Sequence, residues 1–129
     1  MVKVVITAAG KGTRLLPFTK EMPKEMMPIF SKNFSNKKMV LPLLQYVYEQ
    51  LYSMNFRDYC FIVGREKRTI EDHFTPHETY LRDLQGDYKK TMSKFYQKLE
   101  FLIHYFHQVF CKNQIDLWVN PKLLYQIVF

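Results

Sequence analysis

Three short apolar runs separated by helical stretches predict an α/β domain built on a parallel sheet. Val2–Thr7, Tyr59–Val63 and Phe101–Phe106 are each rich in β-branched or aromatic residues. Between them, apolar residues recur three or four apart, the period of an amphipathic helix. Alternating strands and helices with crossovers of this length close into a parallel sheet with helices on its faces. At 129 residues and 47% apolar content, the chain can bury one core of this kind.

The first strand, Val2–Thr7, is followed by Ala8-Ala9-Gly10-Lys11-Gly12, so a buried strand should enter a tight, glycine-bearing turn. Thr13 to Pro28 contains Pro17, Pro23 and Pro28, a spacing that forbids a long helix and predicts a loop with at most a helical turn. Ser31 to Lys38 is polar and reads as an exposed excursion. From Met39 the pattern turns helical, with Leu43, Leu44, Val47, Leu51 and Met54 on one side and Pro42 suited to a first turn. Tyr59–Val63 is the second buried strand, closed by Gly64. Lys67 to Phe74 is a short charged segment with Ile70 and Phe74 on one side, ending before Pro76. Leu81, Leu84, Tyr88, Met92, Phe95 and Leu99 then predict one long helix, weakened at Gly86, with Lys89, Lys90, Lys94 and Lys98 on its other faces. The third strand falls within Glu100 to His107.

Composition narrows the function. Aromatic content is 16% and no low-complexity tract interrupts the chain, so disorder is not expected. The first strand begins at once, without a cleavage site, and no apolar run spans a bilayer, so neither a signal peptide nor a membrane association is expected. Cys60 and Cys111 sit in apolar sequence and read as buried thiols in a reducing cytoplasm. Net charge is +7, and seven Lys or Arg against two Glu between Lys11 and Lys38 supply +5 of it. Such a cluster suits a polyphosphate or a nucleic-acid backbone, and equally a solvated surface. No helix-turn-helix or aromatic RNA-binding signature accompanies it, which argues against nucleic acid. The histidines do not gather: Pro76 breaks any helix that would align His73 with His77, and His104 and His107 alternate across a strand. No metal site is read from them.

The chemistry lies in Gly10 to Ile29. A Walker loop would place glycine at 5 and Ser or Thr at 12, where Val5 and Gly12 stand. A dinucleotide fingerprint would need a small residue at Leu15. The segment can nonetheless clamp phosphate. Gly10 and Gly12 let backbone N–H groups approach an anion, Arg14 offers a planar charged fork, and Lys24 a mobile point charge. The prolines stiffen the loop and reduce the ordering cost of binding. A plain turn with surface cations fits these residues as well.

The run Gly-x-Gly-Thr-Arg-x-x-Pro-x-Thr-Lys-x-x-Pro-Lys-x-x-x-Pro, from Gly10 to Pro28, resembles the signature loop of the sugar-1-phosphate nucleotidyltransferases. Pro23-Lys24-Glu25-Met26 with Pro28-Ile29 is similar to the UTP–glucose-1-phosphate uridylyltransferases among them. Ile62-Val63-Gly64-Arg65-Glu66-Lys67-Arg68-Thr69-Ile70-Glu71-Asp72-His73-Phe74 resembles the same family's next strand and helix. The resemblance covers about Met1 to Gln108 and implies a Rossmann-like, incomplete nucleotide-diphospho-sugar transferase fold. It implies backbone contacts from Ala8, Ala9 and Gly10 to uracil and ribose, with Gly12, Thr13 and Arg14 around the triphosphate. Lys24 would reach the reacting phosphate, and Gln108 would contact the base. Arg14 and Lys24 are the catalytic candidates. The second block is read as structural, with His73 and Asp72 as helix-end contacts.

The reaction the resemblance implies joins UTP and glucose-1-phosphate into UDP-glucose and pyrophosphate. The family's Mg2+ would be held by an aspartate on a later strand. Residues 109–129 carry no resemblance, Asp116 has no claim to that role, and the metal and sugar sites are expected to be missing. The chain thus reads as residues 1–108 of a nucleotide-binding part plus a tail, from a truncated or frame-shifted gene, with little turnover expected of it alone. The apolar end, Leu123 to Phe129, would favour packing or a homo-oligomer. A non-catalytic oligomerising interaction module is the competing reading.

Overall fold

The computed structural model describes residues 3–33, 35–64, 66–99, 103–107 and 124–128, with Lys3 and the last two segments as backbone. Four parallel strands form the main sheet: β1 (Lys3–Ala8), β4 (Asp58–Val63), β5 (Ile103–His107) and β6 (Leu124–Val128), in the order β5-β4-β1-β6. The three parallel strands read from the sequence are therefore present, shifted by one or two residues. The chain steps outward from β1 to β4 to β5, then returns to the opposite side of β1 as β6. The order reverses beside β1, and this reversal decides where the functional loop lies.

β1 and β4 are apolar on both faces over most of their length, with Lys3, Thr7 and Asp58 the polar residues, because both are interior strands. Val4, Ile6 and Ala8 alternate with Val5 and face the same core as Tyr59, Phe61 and Val63, all fully buried. A cage of rings fills that core. Tyr48 lies 4.7 Å from Tyr59, Phe61 4.8 Å from Phe74, and Phe74 5.7 Å from Phe95, centroid to centroid, at tilted or edge-on angles. Tyr48 donates from its hydroxyl to the Lys98 carbonyl at 2.6 Å, and Tyr59 to the Phe56 carbonyl at 2.9 Å. Burial pushes both phenols upward, Tyr59 to about 12.

Helix α1 (Leu43–Ser53) starts where Pro42 supplies a fixed φ before it, and stops at Asn55, whose φ of 70° is a left-handed end that asparagine tolerates. Leu44 and Tyr48 are its buried apolar residues at spacing four, with Gln45 buried between them and Leu51 and Tyr52 beside them. Met54, expected on that stripe, lies past the helix end and is exposed. Helix α2 (Arg68–His73) packs Ile70 and, at its end, Phe74 into the core, as read from the sequence. His73 serves this packing. Its Nε2 meets Gln45 Oε1 at 2.8 Å and its ring lies 5.3 Å from those of Phe74 and Phe95.

Three expectations are corrected. The long helix after Leu81 is two: α3 (Glu78–Asp83) and α4 (Gly86–Lys98), parted by extended backbone at Leu84 and Gln85. Gly86 has φ +59°, which breaks the helical path and turns Tyr88 to solvent at 79% exposure, while Met92, Phe95 and Leu99 stay inward. The excursion expected at Ser31–Lys38 is the far end of an antiparallel hairpin, β2 (Pro28–Lys32) and β3 (Lys38–Pro42), with Ser31, Lys32 and Lys38 in its strands and only the residues between them in the tip. Asn33 shapes that tip by accepting from the backbone N–H groups of Ser35 and Lys37 at 3.0 Å each. Cys60 forms no disulfide among the described residues and is half-buried rather than enclosed, on the β4 face away from the ring cage. Cys111 lies outside the described residues.

Candidate nucleotide-binding loop

In an open parallel sheet, ligands settle beyond the carboxyl ends of the strands, where the strand order reverses. Here that place is the end of β1 between β4 and β6, with Thr7 paired to Val128 and Ala8 to Val63. The chain leaves β1 there and runs through Ala9, Gly10 and Lys11 into three short 3₁₀ turns, Thr13–Leu15, Phe18–Lys20 and Lys24–Met26. Three turns, each cut by a proline, are what the proline spacing allows.

Two glycines shape the loop for different reasons. Gly12 has φ +65°, a left-handed conformation, and a Cβ there would stand 3.0 Å from Thr19 Cγ2. Thr19 in turn donates from Oγ1 to the Gly12 carbonyl at 2.7 Å, and Leu15 N–H donates to the same oxygen at 2.9 Å. Gly10 is exposed, and the ammonium of Lys24 hangs over it: a Cβ on Gly10 would lie 3.8 Å from Lys24 Nζ. The third turn thus folds back to bring a cation onto the backbone leaving β1.

Both candidate cations are available. Arg14 projects into solvent from the first turn, Lys24 is half-buried, and neither has an ion pair among the described residues. Several other lysines do. Lys67 is paired with Glu25, Lys98 with Glu49 at 2.7 Å, and Lys37 with Asp87 at 2.6 Å. A strand end at the sheet's switch point, exposed glycine backbone and cations without an ion pair among the described residues are the chemistry that suits an anion.

The geometry sorts the remaining candidates. Ala8 turns its methyl into the core and offers only backbone outward, whereas Ala9 is half-buried and Thr13 exposed. Gln108 lies outside the described residues. Three participants were not singled out from sequence. Thr19 braces Gly12, and Gly64 packs against the Ala9 backbone, its missing Cβ 3.7 Å from the Ala9 carbonyl oxygen. Glu25, 0% exposed, receives Lys67 Nζ on both carboxylate oxygens at 2.9 Å each. In the sequence, Glu25 is marked only by its place between Lys24 and Met26, and nothing local marks its partner.

The nucleotidyl transferase family model matches residues 3–115. The chain belongs to that family. It is 39% identical over 108 residues to the UTP–glucose-1-phosphate uridylyltransferase of Bacillus subtilis (strain 168), an alignment covering 82% of this chain and 34% of that protein. Among solved structures, apo UDP-glucose pyrophosphorylase superposes with a TM-score of 0.68 at 31% identity, covering 88% of this chain and 40% of that one. A UDP-glucose pyrophosphorylase complexed with UDP-glucose gives 0.59 at 32% identity, covering 84% and 36%. This nucleotidyl transferase chain therefore spans about a third of the length of its curated relative, and its parallel sheet is the relatives' fold in part.

Proposed function

We propose that this chain carries the nucleotide-binding half of a UTP–glucose-1-phosphate uridylyltransferase site, with the loop from Ala8 to Lys24 holding UTP. The observation that carries the reading is Lys24 suspended over Gly10 at the switch point of the sheet, with no carboxylate among the described residues to neutralise it. Names borne by the relatives support the choice of uridine nucleotide and glucose-1-phosphate.

In this reading the backbone of Ala8, Ala9 and Gly10 lines the nucleoside. Amides of Gly12 and Thr13 and the Arg14 fork hold the outer phosphates, and Lys24 lies nearest the α-phosphate. A glucose-1-phosphate oxygen attacks the α-phosphorus. One P–O bond forms, the α–β bridging P–O bond breaks, and pyrophosphate leaves with the electron pair. Lys24 and Arg14 offset the charge that gathers on the non-bridging and leaving oxygens. Relatives of this class use a divalent ion. Among the described residues no three carboxylate, imidazole or thiol groups converge, and the buried carboxylate nearest the loop, Glu25, is already held by Lys67. We place the ligands of that ion outside the described residues. We likewise place the sugar-binding groups outside the described residues, as part of this proposal. Among the described residues no helix is long and apolar enough to cross a membrane. A cytoplasmic location and self-association belong to the same proposal, the latter supported by the outward pair Phe30, 86% exposed, and Val40 on the hairpin.

The test is a titration of the chain with UTP, UMP and uridine, alone and as Arg14→Ala and Lys24→Met. Each charge-assisted contact contributes about 1.5–3 kcal/mol before solvent losses, so either substitution should weaken UTP by roughly tenfold or more and uridine hardly at all. Equal UTP affinity in wild type and both variants would contradict the proposal.

A further inference from the structure

The buried ion pair between Glu25 and Lys67 touches none of the atoms assigned to UTP, yet it is built into the loop beside them. We propose that this pair is a positioning latch that holds Lys24 over Gly10 and thereby sets the loop's preference for a triphosphate over a bare nucleoside. The inference rests on the reading of the loop as UTP's phosphate site.

Neighbouring residues on a 3₁₀ turn point roughly 120° apart, given about three residues per turn. On the Lys24–Met26 turn, driving Glu25 inward therefore directs Lys24 outward. Glu25 is driven inward by two hydrogen bonds, Lys67 Nζ to Oε1 and to Oε2, both 2.9 Å, with the carboxylate fully buried. Two bonds from one ammonium fix the carboxylate's direction as well as its place, which an apolar contact cannot do.

Lys67 is itself fixed. Its backbone N–H donates to the Gly64 carbonyl at 3.0 Å, and its carbonyl accepts from Ile70 N–H at 3.0 Å. Gly64 lies against the Ala9 backbone, one residue from Gly10. The contacts close a ring: Ala9 and Gly10 at the end of β1, Lys24 above them, Glu25 beneath the turn, Lys67 beyond it, and Gly64 back to Ala9. The pair joins positions 42 residues apart across the ends of β1 and β4. Stability alone does not explain it, since well-packed apolar residues often replace a buried pair at no loss. A directional bond beside a cation that has no ion pair among the described residues is explained by the need to aim that cation.

The experiment compares UTP and uridine affinities, by NMR titration, in wild type and in Glu25→Leu/Lys67→Met. This double substitution keeps the site filled with apolar groups and is the one best placed to fold; melts and one-dimensional spectra check that it does. Glu25→Gln, of the same shape, is the second variant. The latch predicts that UTP weakens by about tenfold in both while uridine stays within about twofold. It also predicts that adding Lys24→Met to the double variant costs nothing further, because the latch acts through Lys24. Unchanged UTP-over-uridine preference in the folded double variant overturns the proposal. So does an equal loss for both ligands, which marks a folding effect. A wild-type chain that binds UTP no better than uridine overturns the loop reading itself, and the latch with it.

Discussion

Replacing Gly12 by alanine tests the loop where its backbone is most constrained. Gly12 holds φ +65° and ψ 28°, a left-handed conformation that costs an ordinary L-residue roughly 1–2 kcal/mol. The new Cβ would stand 3.0 Å from Thr19 Cγ2 and 3.2 Å from Thr19 Cβ, so Thr19 must move. Moving it endangers the 2.7 Å bond from Thr19 Oγ1 to the Gly12 carbonyl, worth about 1 kcal/mol net. The two effects sum to about 2–3 kcal/mol against the bound shape of the loop, a fall of roughly 30-fold or more in UTP affinity. The loop lies on the surface and can relax locally, so the melting temperature should move much less than the affinity does. Calorimetric or NMR titration of Gly12→Ala reads the first, and a thermal melt the second. Gly12→Asn, which tolerates left-handed φ, should recover part of the affinity lost in Gly12→Ala. UTP affinity within threefold of wild type for Gly12→Ala would show that this conformation does not matter to binding.

Other expectations concern the core that carries the loop. Phe95→Ala should cost about 3–5 kcal/mol in a denaturant melt, because the ring is buried against Tyr48, His73 and Phe74 and anchors α4. Tyr48→Phe should cost about 1 kcal/mol by leaving the Lys98 carbonyl without its 2.6 Å donor. Burial holds the His73 imidazole below its usual 6.5, so the unfolded chain takes up a proton that the folded chain refuses. Stability should therefore fall as pH drops below 6.5, flatten once the folded imidazole also titrates, and stay unaffected by this group above neutrality. Melts of His73→Gln across pH 5 to 8 should show a shallower acid-side loss than wild type.

Much of the fold was legible because interior parallel strands advertise themselves. β1 and β4 are apolar on both faces, and Gly12 and Gly64 follow closely on their ends. β6 was not legible: residues 123–129 form an apolar run without a diagnostic period, and the pairing that defines it is with β1, at the other end of the chain. The hairpin was hidden because Ser31, Lys32 and Lys38 are polar strand residues that run on into a polar tip, on a two-stranded ribbon with one wet face. The break before α4 was signalled only by Gly86, whose left-handed φ outweighed an otherwise helical spacing. At the site, glycines, prolines and cations could be read directly, because each acts through its own backbone or charge. The Glu25–Lys67 pair could not, because a buried ion pair exists only once the fold brings distant residues together.

Mapping UTP contacts residue by residue tests most directly whether UTP is held at the end of β1. The chain would be titrated with UTP, with sulfate as a control, while backbone amide shifts are followed. UTP binding in the roughly millimolar to high-micromolar range should shift Ala8 to Lys24, weaken with added salt, and vanish from that region in Arg14→Ala/Lys24→Met. A competing surface exists where Lys32, Lys94 and Lys98, the last paired with Glu49, line a cleft between the β2–β3 hairpin, α1 and α4. Shifts centred on that cleft, with none from Ala8 to Lys24 at high UTP, would contradict the assignment.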